Sequence, residues 1–214
     1  MSSQKASPLD SVPPKIIKDH IDIISLKIEV DFNSAIKNGI FPHNMKLADV
    51  SPIFKKDDKH LKGNYRPVSV LSSMSKIFER LMLTQINNYM GDKLSIFLCG
   101  FRKGMSAQNC LLFLIEKWKK SLDRSGKCGI LFTDLSKAFD CLSHELLIAK
   151  LYSYGFDYIS LKLIYSYLSD RFQRVRVNSN FSSWYKIVTG VPQGSILDRI
   201  FTILTQTIYF YFYC

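Results

Sequence analysis

A chain of 214 residues, 47% hydrophobic and 22% charged, is long and apolar enough to bury a core, which excludes a disordered polypeptide. Its formal net charge of +11 points to a polyanionic partner, either nucleic acid or an acidic membrane surface. The five cysteines (Cys99, Cys110, Cys128, Cys141 and Cys214) include no C-x-x-C pair, so no zinc site or disulfide framework is readable and reduced thiols are expected.

Residues 1–14 are rich in Ser and Pro and lack the apolar core of a secretory signal. From Pro14 to Gly39 the apolar spacing predicts one or two helices ending at the glycine. Ala48 to Phe54 reads as a strand. A basic turn follows, and Pro67 to Leu71 reads as its antiparallel partner. Ser75 is taken as the N-cap of a long helix closed by Gly91, and Ser106 as the start of a second. The continuously apolar run from Cys128 to Phe132 predicts a buried strand. Helices are predicted from Ser143 or His144 to Ser153, with Gly155 as C-cap, and from Ile159 to Leu168. Arg171 to Val177 alternates, with Val175 and Val177 on one face and Arg174 and Arg176 on the other. Ser183 to Thr189 reads as its hairpin mate. The order α, ββ, α, α, β, α, α, ββ predicts an α+β fold. Ile200 to Cys214 is uncharged but shorter than the ~20 residues a spanning helix needs. No membrane partner is expected, and the chain is expected to be intracellular, in nucleus or cytoplasm, and not secreted.

Four blocks carry chemistry. In Leu131-Phe132-Thr133-Asp134-Leu135-Ser136-Lys137-Ala138-Phe139-Asp140 a carboxylate ends a buried strand, where a metal-binding aspartate is held rigidly yet reaches solvent. The rival reading is that Asp134 or Asp140 caps the next helix, and that Phe139 is a core residue. Gly190-Val191-Pro192-Gln193-Gly194-Ser195 makes a tight turn, readable as a simple hairpin-to-helix connection. Pro52-Ile53-Phe54-Lys55-Lys56 and Asn64-Tyr65-Arg66-Pro67-Val68-Ser69 flank the basic turn, whose single lysines are read as solvated. Gly100-Phe101-Arg102 is the fourth block.

In order and spacing these blocks resemble the reverse transcriptases of non-LTR retrotransposons, from about Pro8 to Leu197. The first matches that family's F-x-D-L-S-K-A-F-D palm motif, the second its G-V-P-Q-G-S motif, and the third its fingers hairpin. The resemblance implies a partial polymerase right hand that transfers a deoxynucleotide onto a primer 3′-hydroxyl. It assigns Asp134 as catalytic and, with the Leu135 carbonyl, as ligand of Mg²⁺ or Mn²⁺. It assigns Lys55, Arg66, Phe139, Gln193 and Gly194 to the nucleotide, Lys56 less directly, and Phe139 to exclusion of a 2′-hydroxyl. Arg102, Arg174 and Arg176 are assigned to an RNA template and DNA primer. The implied organisation is a helical lead-in over residues 1–45, fingers over 46–127, and an incomplete palm with a divergent apolar tail over 128–214.

The sequence departs from the family in three places. Leu98 stands where a Gln precedes the Gly-Phe-Arg block, Asp198-Arg199 replaces a Gly-Pro, and no paired-aspartate motif follows. The chain alone is therefore expected to lack polymerase activity. The alternatives are a non-catalytic nucleic-acid-binding fragment or an unselected retrotransposon remnant. The strand at Cys128 to Phe132 would keep an open apolar edge, and the uncharged Ile208 to Tyr213 is an aggregation hazard.

Overall fold

A computed structural model describes residues 12–95, 98–100, 102, 104–127 and 138–205. The first apolar pattern resolves into two helices, α1 (Pro14–Asp19) and α2 (Ile21–Asn38), and Gly39 closes the second. The chain then enters strand β1 (Leu47–Phe54), turns through Lys62–Asn64, and returns antiparallel as β2 (Tyr65–Leu71). Ala48 faces Leu71 at one end of this ladder and Phe54 faces Tyr65 at the other.

Helix α3 (Ser73–Met90) begins one turn before the expected start. Its N-cap is Ser72, whose hydroxyl accepts from the Ser75 amide at 3.1 Å, so Ser75 lies inside the first turn. Any of the serines at 72, 73 and 75 can cap. Burial decides between them, because starting at Ser73 sets Ser75, Phe78, Glu79, Met82 and Ile86 on the inward face. Helix α4 (Ala107–Asp123) is capped by Ser106 as expected. Helices α5 (His144–Ser153) and α6 (Tyr158–Leu168) are capped by Ser143 and Asp157. Asp140 therefore caps no helix, and Tyr154, one residue before Gly155, is the C-cap of α5.

Strand β3 (Arg171–Val177) pairs with β4 (Asn180–Phe181) and β5 (Tyr185–Ile187), so the partner side is split in two, with only β5 inside the predicted mate Ser183 to Thr189 and β4 ahead of it. The split falls where the Ser182 hydroxyl accepts from the Val175 amide at 2.9 Å and takes over the ladder bond. The two predicted hairpins are not separate. β3 lies parallel to β1, from Leu47 opposite Phe172 to Val50 opposite Val175, giving one five-stranded mixed sheet. This pairing satisfies the second edge of β1, whose amides and carbonyls would otherwise be left open. The sheet also joins residues on either side of the expected boundary between 127 and 128.

The core forms where the helices meet. Phe78 of α3 stacks on Phe32 of α2 at 4.3 Å and on Phe41 at 5.2 Å, and Phe41 meets the Tyr167 ring edge-on at 5.0 Å. The last described helix, α7 (Asp198–Thr205), buries Ile200, Phe201 and Leu204, so the start of the apolar tail belongs to this core. Among the described residues no helix is long and apolar enough to cross a membrane. The expected strand at Cys128 to Phe132, its open edge, and the segment Ile208 to Tyr213 lie outside the described residues.

Phe78 is fully buried between two aromatic rings on different elements. Phe78→Ala is expected to destabilise the chain by about 3–5 kcal/mol. Urea unfolding followed by circular dichroism would register this as a lower midpoint with an unchanged slope.

Candidate functional site

The turn from Gly190 to Ser195 is the centre of the site, because it bonds to the chain on both sides. Gly190 has φ of +80°, and a Cβ there would lie 2.6 Å from the carbonyl oxygens of Phe139 and Asp140. The bare glycine lets two segments touch. Gly190 N–H donates to the Leu142 carbonyl and Val191 N–H to the Phe139 carbonyl, each at 2.9 Å. Thr189 Oγ1 donates to the Asp140 carbonyl at 3.3 Å, and His144 Nε2 lies 2.7 Å from the Gly190 carbonyl. On the other side, Ser69 N–H of β2 donates to the Gln193 carbonyl at 2.8 Å. Gly194, at φ of +99°, packs its backbone against Val68 and donates its N–H to Asp198 Oδ2 at 2.8 Å.

These contacts bring Asp140 at the end of the first motif, Val191 to Gln193 of the second motif and strand β2 around one cavity of about 270 Å³. Its walls are Pro67, Ser69, Asp140, Gln173, Ile187, Thr189, Val191, Pro192 and Gln193. Gln193 Oε1 is buried and meets no hydrogen-bond donor among the described residues. A buried acceptor without a donor costs free energy, so the arrangement favours a ligand that brings one.

Behind the turn lies a buried polar network. Glu79 Oε2 accepts from Ile196 N–H at 2.8 Å, and Glu79 Oε1 from the Tyr167 hydroxyl at 3.1 Å and the Ser75 hydroxyl at 3.3 Å. Arg171, also buried, donates to the Tyr167 carbonyl at 3.0 Å and sits over the Tyr167 ring at 4.7 Å. Burial raises the Glu79 carboxyl above its ordinary value. The Ile196 amide, the Arg171 charge and the two hydroxyls oppose this and do not cancel it. Burial likewise raises the Asp198 carboxyl, against the Gly194 and Arg199 amides and the Arg199 charge.

The remaining candidates sit as follows. Lys55 is exposed at the hairpin tip, its N–H bonded to the Asn64 carbonyl at 2.8 Å, and Lys56 is exposed beside it. Arg66 is exposed and faces Ile53 in the ladder, so strand alternation sets it on the sheet face opposite Pro67 and Ser69. Phe139 is partly buried and packs against the core. Arg102 donates to the Ser95, Gly91 and Leu98 carbonyls at 2.7, 3.2 and 3.3 Å, tying down the chain that leaves α3. Arg174 pairs with Asp49 at 2.7 Å, and Arg176 is exposed near the end of β3. Asp134 and Leu135 lie outside the described residues. Among the described residues no group of three His, Cys, Asp or Glu side chains could hold a metal ion. The described walls therefore do not form a cation cage by themselves.

Glu79, His144, Asp198 and Gln173 were not picked out as site residues from the sequence. Glu79 carries a readable signal, since it shares its helix face with Ser75, Met82 and Ile86 at spacings of four, three and seven residues. His144 and Gln173 carry none, because only the tertiary fold brings them to the turn.

A raised folded-state carboxyl binds its proton more tightly than the unfolded chain does. The stability it contributes is complete below the ordinary glutamate value of 4.5 and falls as pH rises through the folded value. In Glu79→Gln the amide can turn its oxygen to Ile196 N–H and donate to the two hydroxyls. The wild type is therefore expected to lose more stability than Glu79→Gln between about pH 4 and 8, read by urea unfolding. Glu79→Ala strands a buried amide and hydroxyl, at about 1–3 kcal/mol each.

The sequence profile of the family described as "Reverse transcriptase (RNA-dependent DNA polymerase)" matches residues 53–208. Over 178 residues the chain is 33% identical to the "Probable RNA-directed DNA polymerase from transposon BS" of Drosophila melanogaster, covering 82% of this chain and 20% of that protein. Over 179 residues it is 34% identical to the corresponding protein from transposon X-element of the same fly, with the same coverage. With the "RNA-directed DNA polymerase from mobile element jockey" of Drosophila funebris it shares 29% over 209 residues, 96% of this chain and 23% of that one. The chain thus spans about a fifth of the length of these curated relatives.

Proposed function

The chain belongs to the reverse transcriptase family, of the kind carried by non-LTR transposons, and on that premise we propose that its cavity holds the incoming deoxynucleotide of an RNA-directed DNA polymerase. One observation carries the reading. Gln193, whose buried Oε1 is an acceptor without a donor among the described residues, lines a cavity bounded by both family motifs. A sugar hydroxyl or a base amino group supplies the missing donor.

In this reading Gln193 orients the nucleotide and Gly194 keeps the backbone clear of it. Phe139 lies under the sugar and excludes a 2′-hydroxyl. Lys55, at the exposed hairpin tip, is assigned to the triphosphate, whereas Arg66, on the sheet face opposite the cavity walls Pro67 and Ser69, is left out of the nucleotide's contacts. Arg102, Arg174 and Arg176 serve the RNA template and DNA primer. Divalent cations, Mg²⁺ or Mn²⁺, are assigned to Asp134 and the Leu135 carbonyl; such ions lower the cost of forming the 3′-alkoxide and of releasing pyrophosphate. The protein's own contribution is to fix the nucleotide against the turn through groups positioned before it arrives.

For these 214 residues on their own, the same reading gives binding without chain extension. This sequence supplies the first-motif aspartate, and the paired-aspartate motif of the family does not follow the second motif in it. Asp198 is no substitute, because its carboxyl is buried and bonded to the Gly194 amide.

Two assays test this. Primer extension on an RNA template with a DNA primer and Mg²⁺ or Mn²⁺ is expected to give no product with the wild-type chain or with Asp134→Ala. Product from the wild type that disappears in the variant would overturn the inactivity. In equilibrium dialysis with labelled dTTP, Gln193→Ala is expected to bind about tenfold more weakly, the scale of one lost buried hydrogen bond. Equal binding by both chains would remove the nucleotide from this cavity.

A further inference from the structure

The outer face of the β3–β4–β5 hairpin carries two aromatic rings that the fold leaves half in solvent. Phe181 is 47% exposed and Trp184 is 40% exposed. One guanidinium underlies both rings. Arg174 lies 4.0 Å from the Phe181 ring centre and 4.7 Å from that of Trp184. It is fixed by its 2.7 Å ion pair with Asp49, whose side chain is 8% exposed. A charge-assisted bond of this kind makes the guanidinium a rigid support for the rings. Arg176, 5.7 Å from the Phe181 ring centre, is exposed and has no acidic partner among the described residues.

Strand alternation sets this patch apart from the cavity. Gln173 lines the cavity, so Arg174 and Arg176 fall on the opposite sheet face, with Phe181 paired to Arg176. The patch therefore does not duplicate the nucleotide site; it lies on the opposite face of the same strand.

We propose that Phe181 and Trp184, held by Arg174, form a stacking platform for unpaired bases of a single-stranded nucleic acid, with Arg176 meeting the adjacent phosphate. The class of ligand follows from the chemistry. Flat aromatic faces beside an exposed guanidinium, on a chain of net charge +11, match the combination of stacked bases and polyanionic backbone that single strands present. An intact duplex hides its base faces and offers only phosphates. A protein surface of ordinary composition supplies no series of flat rings with an anion between them. The proposal rests on the polymerase reading for its biological strand, the template, but the platform itself is tested without nucleotide.

The experiment compares three labelled ligands by fluorescence anisotropy with the full 214-residue chain. They are a single-stranded RNA of about twelve nucleotides, an abasic phosphodiester strand of equal length, and a blunt duplex. The wild type is expected to bind the base-bearing strand about tenfold or more tightly than the abasic one, and more tightly than the duplex. Phe181→Ala with Trp184→Ala is expected to abolish that preference while keeping the affinity for the abasic strand. Trp184→Phe keeps a ring and is expected to keep most of the preference. Trp184→Leu keeps apolar bulk without a flat face and is expected to lose much of it. A Trp118→Phe background isolates Trp184 emission, which base-bearing strand should quench and abasic strand should not, with no change to the platform. Equal wild-type affinity for both strands, preference that survives the double variant, or dimerisation that Trp184→Leu abolishes would each overturn the proposal. Gln193→Ala is expected to leave the preference intact, so failure of the nucleotide cavity and failure of the platform read out separately.

Discussion

Glu79 is a carboxylate in the middle of an otherwise apolar helix face, and three donors from different parts of the chain converge on it. Ser75 comes from its own helix, Tyr167 from α6, and the Ile196 amide from the turn that leads into α7. The wall of the cavity depends on that convergence. A charged group is costly in a core unless every lone pair is met. Meeting them requires α3, α6 and the motif turn to hold one relative position. Arg171 supplies the nearby opposite charge and is itself buried against Tyr167. The result is a polar joint inside a hydrophobic core, which selects one packing where apolar contacts alone would tolerate several.

The mixed sheet then divides the labour between its two faces. Ala48, Val50 and Leu71 lie on the face that also carries Gln173 and Ser69, so core and cavity share it. The other face carries Arg66 of β2 and Arg174 and Arg176 of β3 with the half-exposed rings of the hairpin. Alternation along one strand thus directs a neighbouring pair, Gln173 and Arg174, to two different chemical environments. A basic protein can in this way keep a hydrogen-bonding cavity without a Lys or Arg wall within a few residues of a cationic surface.

Much of this was legible in the sequence, and the exceptions have physical causes. Helices with strong periodicity and clear caps, such as α4 after Ser106 and α5 after Ser143, fell where the pattern set them. Ser75 was misread because three serines compete for one cap, and only the burial of Glu79 resolves the competition. The α+β class was readable from element order. The parallel pairing of β1 with β3 was not, because no local pattern specifies which open edge a strand will find. At the turn, Gln193 and Gly194 were readable from a motif, whereas the hairpin motif gave no sign that Arg66 would face away from the cavity. The clasp of His144, Leu142 and Gly190 was not readable, since it joins the His144 ring and backbone groups of distant segments that carry no local signature. Arg174 shows the limit on charge: its sequence position says cation, while Asp49, far along the chain, decides how much of that cation remains free.

That pairing of Asp49 with Arg174 spans 125 residues. A chain emerging from the ribosome at its N-terminal end exposes β1 long before β3 exists. Until then β1 has only β2 beside it, and its other edge is open to solvent and to other chains. Parallel strands close slowly because the intervening loop must be ordered before the contact repays it. Synthesis therefore passes through a stage in which α1 to α3 and one hairpin are present without the strand that completes them. The vulnerable period for this protein is during its own translation, and its length is set by how long the ribosome takes to travel from β1 to β3.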